Sequence, residues 1–158
     1  MKNFITMSKE QAKRYSYKNI PNDYIIVSIN EPNEIPPKFH RNIHLKGVLC
    51  LYFEDISELI EGHITISDQD ALDILNFIDR HKNINNIIIH CAAGVSRSVS
   101  IRCALEEIYN KRVIGIFLKE KNINPNTIYN VGDMIKEKDD NIYIFNKLCY
   151  EKIKSCSR

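Results

Sequence analysis

The stretch Ile87-Ile88-Ile89-His90-Cys91-Ala92-Ala93-Gly94-Val95-Ser96-Arg97-Ser98 decides how this sequence is read. It passes from an apolar β-branched run, through a loop of small residues, into the first turn of a helix. After a strand over 86–90 the chain must turn sharply. The backbone N–H groups of Ala92, Ala93, Gly94, Val95, Ser96 and Arg97 then point inward as an anion nest at the mouth of the helix. Small side chains keep the nest open, and Gly94 can take the positive φ that a tight cradle requires. No lysine follows a second glycine, which excludes a nucleotide P-loop.

Such a nest suits a phosphate dianion. The helix dipole, the nest and the Arg97 guanidinium all favour negative charge at Cys91, and so favour its thiolate, a nucleophile. Arg97 offers a planar fork to two phosphoryl oxygens, holding the group in line for attack by sulfur. A Cys six residues before an Arg is weak evidence alone. Requiring His before the Cys, Gly three after it and Ser or Thr after the Arg lowers the chance expectation to on the order of 10⁻⁵ at this composition.

His90-Cys91, five residues, then Arg97-Ser98 resembles the signature loop of the cysteine-dependent protein tyrosine phosphatase superfamily, in particular its compact dual-specificity-like branch. The resemblance implies that Cys91 forms a phosphocysteine, that Arg97 holds the phosphoryl group and that Ser98 hydrogen-bonds the sulfur. By the same resemblance His90 orients the loop and exchanges no proton with substrate. The motif-level likeness runs from about Gly47 to Tyr109.

A leaving phenolate or alkoxide needs a proton. Val48-Leu49-Cys50-Leu51-Tyr52-Phe53 reads as a buried strand ending at Glu54-Asp55, and in an open parallel sheet ligand groups gather beyond the strands' carboxyl ends. Asp55 is therefore the general-acid candidate. The segment Leu51 to Ile56 also resembles the acid loop of dual-specificity-like phosphatases, with Asp55 at the aspartate position. Glu54 is the second choice. Asp68 and Asp70 follow Ser67 as an N-cap and first turn, where carboxylates serve the helix.

The remaining elements frame a doubly layered fold. Ser8 caps a short helix over 9–14, and Tyr24 to Ile29 is β-branched and aromatic enough for a central strand. Glu31-Pro32-Asn33-Glu34-Ile35-Pro36-Pro37 can continue neither element and is read as a surface connection, with a border of the active site as the alternative. Apolar residues at helical spacing predict helices over 69–82 and over about 98–110. Further on, Val113 to Lys119 is read as a short helix and Asn124 to Thr127 as a turn capping a helix through Ile128 and Met134. A last helix is read over 142–154. The expected architecture is α/β: a central, mostly parallel, twisted sheet of about four to five strands flanked by helices, phosphatase-like, with 1–158 as one catalytic domain.

Composition agrees with a globular protein. Of 158 residues 44% are apolar, and 22 basic against 20 acidic residues argue for no nucleic-acid or membrane partner. The N-terminus lacks an apolar core for a signal peptide, no run approaches membrane-span length, and five cysteines without Cys-x-x-Cys spacing suit the cytoplasm. No cofactor or metal is implied; His40 and His44, four apart, lie in a loop or short strand. Cys50 could trap an oxidised Cys91 as a disulfide.

Departures from neighbouring families narrow the substrate. There is no tryptophan, hence no Trp-Pro-Asp acid loop of the larger tyrosine-specific enzymes. The loop carries no lysines of the phosphoinositide-phosphatase kind, and Val99 after Ser98 departs from the Thr-Gly of messenger-RNA triphosphatases. Phosphotyrosine in a protein or peptide is the expected substrate, with phosphoserine and phosphothreonine added if the cleft is shallow. Alternatives are a catalytically weak phosphate-binding module, a phosphatase for a non-protein ester, or a rhodanese-type sulfur transferase. Oligomeric state is open.

Overall fold

A computed structural model describes residues 1–111, 134–136, 142–144 and 146–157. Four strands, β1 (Asn3–Ser8), β2 (Tyr24–Asn30), β3 (Leu45–Tyr52) and β4 (Asn86–Cys91), form an all-parallel sheet in the order β1-β4-β2-β3. Helices α1 (Lys9–Tyr15), α2 (Asp68–Arg80), α3 (Arg97–Asn110) and α4 (Lys147–Cys156) flank it. A separate antiparallel pair joins β5 (Met134–Lys136) to β6 (Ile142–Ile144).

The two inner strands explain the sequence's apolar runs. Every residue of β2 is buried, and β4 is buried from Ile87 to Cys91, because both faces of an inner parallel strand are covered. Ile25, Val27, Ile29, Ile87, Ile89 and Cys91 face one way and pack with Ala71, Ile74, Ile78, Ile101, Leu105 and Ile153 of α2, α3 and α4. Tyr24, Ile26 and Ile88 face the other way, against Ala12 of α1 and the partly buried Phe39 and Leu45. The period of two along each strand thus sorts the core into a thick layer and a thin one.

Several expectations change. β1, unassigned in the sequence reading, is an edge strand parallel to β4, with Ser8 level with Cys91. β3 is also an edge, half-buried with alternating exposure, and its neighbour Phe53 is fully buried. The helix read over 142–154 is instead a strand at Ile142–Ile144 followed by α4 from Lys147, and Met134 opens a strand where a helix was expected to run. The helix at Val113 to Lys119 and the turn at Asn124 to Thr127 lie outside the described residues. No helix among the described residues is long and apolar enough to cross a membrane.

Two helices begin as their sequences require. Ser8 Oγ accepts from Gln11 N at 3.2 Å while Gln11 Oε1 accepts from Ser8 N at 2.8 Å. Ser67 and Asp70 make the same reciprocal box at 3.0 and 2.9 Å, so Asp70 is committed to the helix start.

The layering predicts an asymmetric mutational response. Ile88→Ala, at a fully buried site, is expected to cost about 2–5 kcal/mol in urea unfolding. Val48→Ala on edge strand β3, where the side chain is 39% exposed, is expected to cost under about 1 kcal/mol.

Candidate active site

The site forms where β4 ends. Cys91, 2% exposed, is the last residue of the strand, and a short loop carries the chain from there to Arg97 at the start of α3. Gly94 makes the turn at φ +74°, and its N–H donates to Cys91 Sγ at 3.3 Å. Ser98 Oγ, fully buried in the first turn of α3, lies 3.2 Å from the same sulfur. Ala92 O accepts from Lys9 N at 3.2 Å, tying the loop to the start of α1. Gly94 sits so close to β1 that a Cβ there would lie 2.6 Å from Met7 C and Ser8 N. Only glycine fits both the dihedral and the space.

α3 starts without a side-chain cap. Its N-cap Ser96 turns its hydroxyl away from the helix and donates to Asp55 Oδ1 at 2.7 Å. The first-turn N–H groups, which a capping oxygen would normally occupy, therefore keep their positive end free for an anion.

Arg97 is buried, with a side chain only 4% exposed. Two of its nitrogens are anchored: Nη1 donates to Phe53 O at 2.7 Å and Nη2 meets Glu31 Oε1 at 2.7 Å. Its Nε is buried with no hydrogen-bond partner among the described residues. A buried guanidinium N–H without an acceptor costs free energy, and an oxyanion is the kind of group that can accept it. Asn30 Oδ1 is the other buried side-chain atom without a partner among the described residues.

Glu31 follows the last residue of β2, in the connection read first as surface and alternatively as a border of the site, and its ion pair with Arg97 places it by the second of these. Glu34 Oε2 accepts from Glu31 N at 3.0 Å, and Glu34 also pairs with Lys9 beside the Cys91 loop. The signal that could have found Glu31 is its position beyond the carboxyl end of a central strand, the same reasoning that singled out Asp55.

Asp55 reaches the loop. Its Oδ1 accepts from Ser96 Oγ and from Asn146 Nδ2, both at 2.7 Å. Glu54 is engaged elsewhere, since its Oε2 accepts from Ile64 N at 2.7 Å and closes the 54–64 loop. That bond, and the one from His63, hold the Glu54 carboxyl below its usual range and so ionised, unlike a group that must deliver a proton. Asp68 pairs with Lys152 of α4 at 2.9 Å.

His90 points to the opposite face of the sheet from Cys91. Its Nδ1 lies 3.2 Å from Cys91 O and its Nε2 2.5 Å from Ser28 Oγ, and Ser28 Oγ is 3.1 Å from Asn30 Nδ2. The donors balance in one way only: Asn30 donates to Ser28, Ser28 to His90 Nε2, and His90 Nδ1–H to Cys91 O. Burial lowers the His90 pKa from 6.5. The bond to Cys91 O opposes this, and the Lys9 and Arg97 charges add to it. The imidazole is therefore neutral, with its Nδ1–H bonded to the last carbonyl of β4.

Cys149 of α4 lies under the site. Burial pushes its thiol well up; Asp55 adds to the rise, Arg97 opposes it, and Cys91 and Asp70 add further. One buried sulfur thus senses the charges of Asp55, Arg97 and Cys91 together. Cys50 does not approach Cys91: it is level with Ser28, which is level with His90, on the face opposite to Cys91. Two strand spacings are about 10 Å, beyond disulfide reach, and none of the five cysteines is in a disulfide.

His40 stacks on Tyr17 with ring centroids 4.6 Å apart and His44 meets Asp23 at 2.9 Å. Among the described residues no three His, Cys, Asp or Glu side chains are grouped to hold a metal ion. Open grooves of about 370 and 400 Å³ run beside β1 and β3, and neither is lined by Cys91, Arg97 or Asp55.

Two outcomes are expected. Gly94→Ala adds a methyl against β1 at positive φ, so the melting temperature should fall and the β1 amides should lose hydrogen-exchange protection. At about 1–2 kcal/mol the dihedral alone is a sizeable penalty. For His90, the folded state binds its proton less readily than the unfolded chain, so the fold is favoured above pH 6.5 and loses that stability as pH falls from 6.5 toward the lowered folded value. Urea unfolding at stepped pH should show this loss in the parent and a smaller one in His90→Asn.

No protein-family model matches the sequence, and no curated protein matches it. Among solved structures the chain is similar to one titled "Crystal structure of Tk-PTP in the active form", at 15% identity and a TM-score of 0.49, over 98% of this chain and 89% of that one.

Proposed function

We propose that this chain is a cysteine-dependent phosphatase that hydrolyses phosphotyrosine in proteins or peptides through a phosphocysteine intermediate. The observation that carries the reading is the buried Nε–H of Arg97, which has no partner among the described residues while Nη1 and Nη2 of the same guanidinium are anchored, at the uncapped start of the helix that follows Cys91. A phosphoryl oxygen satisfies that donor and brings phosphorus to the sulfur.

The first step forms an S–P bond from the Cys91 thiolate and breaks the P–O bond to the leaving group. The electron pair of that bond goes to the leaving oxygen, which takes a proton from Asp55. Gly94 N–H and Ser98 Oγ, beside Sγ, ease the sulfur's departure when water attacks the phosphocysteine and Asp55 takes a proton back. The amides of Ala92 to Arg97 and the Arg97 side chain receive the charge on the equatorial oxygens. The roles of Cys91, Arg97, Asp55 and Ser98, and the bracing role of His90, belong to this proposal.

Loop side chains of alanine, valine and serine, without lysine, suit a singly phosphorylated ester better than a polyphosphorylated head group. Residues 1–158 act as one catalytic domain in this reading, and five cysteines held as thiols suit a reducing compartment such as the cytoplasm. No nucleic-acid or membrane partner is needed, and hydrolysis needs no added cofactor.

The test is hydrolysis of an aryl phosphate and of a phosphotyrosine peptide, with vanadate inhibiting and chelators without effect. Cys91→Ser should abolish turnover while still binding phosphate. Asp55→Asn should bind normally and lose on the order of 10²–10⁴ in kcat on a phosphotyrosine peptide, the usual contribution of a positioned acid. Full activity in Cys91→Ser would refute the scheme.

A further inference from the structure

Two donors converge on one oxygen of Asp55. Ser96 Oγ and Asn146 Nδ2 each lie 2.7 Å from Oδ1. Asn146 cannot turn its amide the other way without loss, because its Oδ1 already accepts from Cys149 N at 3.0 Å as the N-cap of α4. It is also fully buried, and its backbone N donates to Ser100 Oγ at 2.7 Å, which in turn donates to Ser96 O at 2.9 Å. The start of α4, the first turn of α3 and the Asp55 carboxyl are therefore one hydrogen-bonded unit.

We propose that Asn146 is a positioning residue that places the catalytic proton on Asp55 Oδ2. The inference rests on the reading of Asp55 as general acid. A neutral carboxyl has one carbonyl oxygen, which accepts, and one hydroxyl oxygen, which carries the proton. An oxygen that receives two hydrogen bonds is the carbonyl one, so the proton is left to Oδ2. As the P–O bond breaks and its electron pair passes to the leaving oxygen, the Oδ2 proton moves to that oxygen. Asp55 becomes a carboxylate with both bonds to Oδ1 unchanged. Little reorganises during the transfer, which is the advantage of fixing the acid beforehand. Without the amide, the carboxyl can rotate about its last torsion and present the wrong oxygen.

A residue that only caps α4 would affect all substrates alike; one that aims the acid affects only those whose leaving group needs a proton. The test compares phenyl phosphate with dinitrophenyl phosphate, whose phenolate departs unprotonated, in the parent, Asn146→Ala, Asn146→Ser and Asp55→Asn. Serine is a good N-cap but too short to reach Asp55, so Asn146→Ser keeps the helix start and removes only the donor, and thermal melting checks that it folds. Both Asn146 variants should lose about tenfold in kcat on phenyl phosphate, with KM within about twofold, and change under about twofold on dinitrophenyl phosphate. Equal losses on both substrates in Asn146→Ser, or no loss on either, would overturn the proposal. If Asp55→Asn discriminates between the substrates and Asn146→Ser does not, the positioning role alone fails. If Asp55→Asn itself shows no discrimination, the acid assignment fails and the proposal falls with it.

Discussion

A buried guanidinium governs this structure. Taking Arg97 out of water is costly, and the fold accepts that cost only because Glu31 and the Phe53 carbonyl meet two of its nitrogens. Those partners come from the segments that follow β2 and β3, so the cation ties together the carboxyl ends of three neighbouring strands. Glu31 is half-exposed, which lets the pair form without burying both charges. What the anchoring leaves over includes the buried Nε–H, without a partner among the described residues, and the chemistry proposed here grows from that remainder.

A similar division appears behind Cys91. Cys91 ends a strand whose next residue back, His90, faces the other side of the sheet, and the thin layer there is largely α1 and an irregular segment. A chain of donors from Asn30 through Ser28 to His90 supports the Cys91 carbonyl from that side, with burial keeping the imidazole neutral. The thick layer supports the loop from the other side through α3 and α4. Sheet alternation thus puts adjacent residues on separate faces, the thiol on one and the imidazole with its hydrogen-bond chain on the other.

The inner strands and their helices were legible in the sequence because burial on both faces makes continuous apolar runs and because helix stripes repeat at 3.6 residues. Edge strand β1 was not, since Asn3 to Ser8 mixes polar and apolar residues and draws its order from pairing with β4. The boundary near Ile142 was misread for a related reason: Ile142–Ile144 pairs with Met134–Lys136, and an apolar run of that length has no period of its own. The loop connecting β2 and β3 reads as surface or as a border of the site without a choice between them, because its prolines announce irregular backbone and say nothing of what a glutamate beside them will meet.

For the site, the sequence by itself determined the local constellation: a cysteine, a glycine turn, a serine and an arginine within eight residues must lie close together around one turn of the chain, since connectivity alone keeps them together. It also pointed to Asp55 through the rule that strand ends collect function. Only the tertiary structure decided what holds these groups. Glu31 comes from 66 residues before Arg97 and Asn146 from 91 residues after Asp55, and no spacing in a sequence encodes contacts closed by sheet order and helix packing. It also separated Cys50 from Cys91, because strand register sets which face a side chain takes, and register is a property of the assembled sheet.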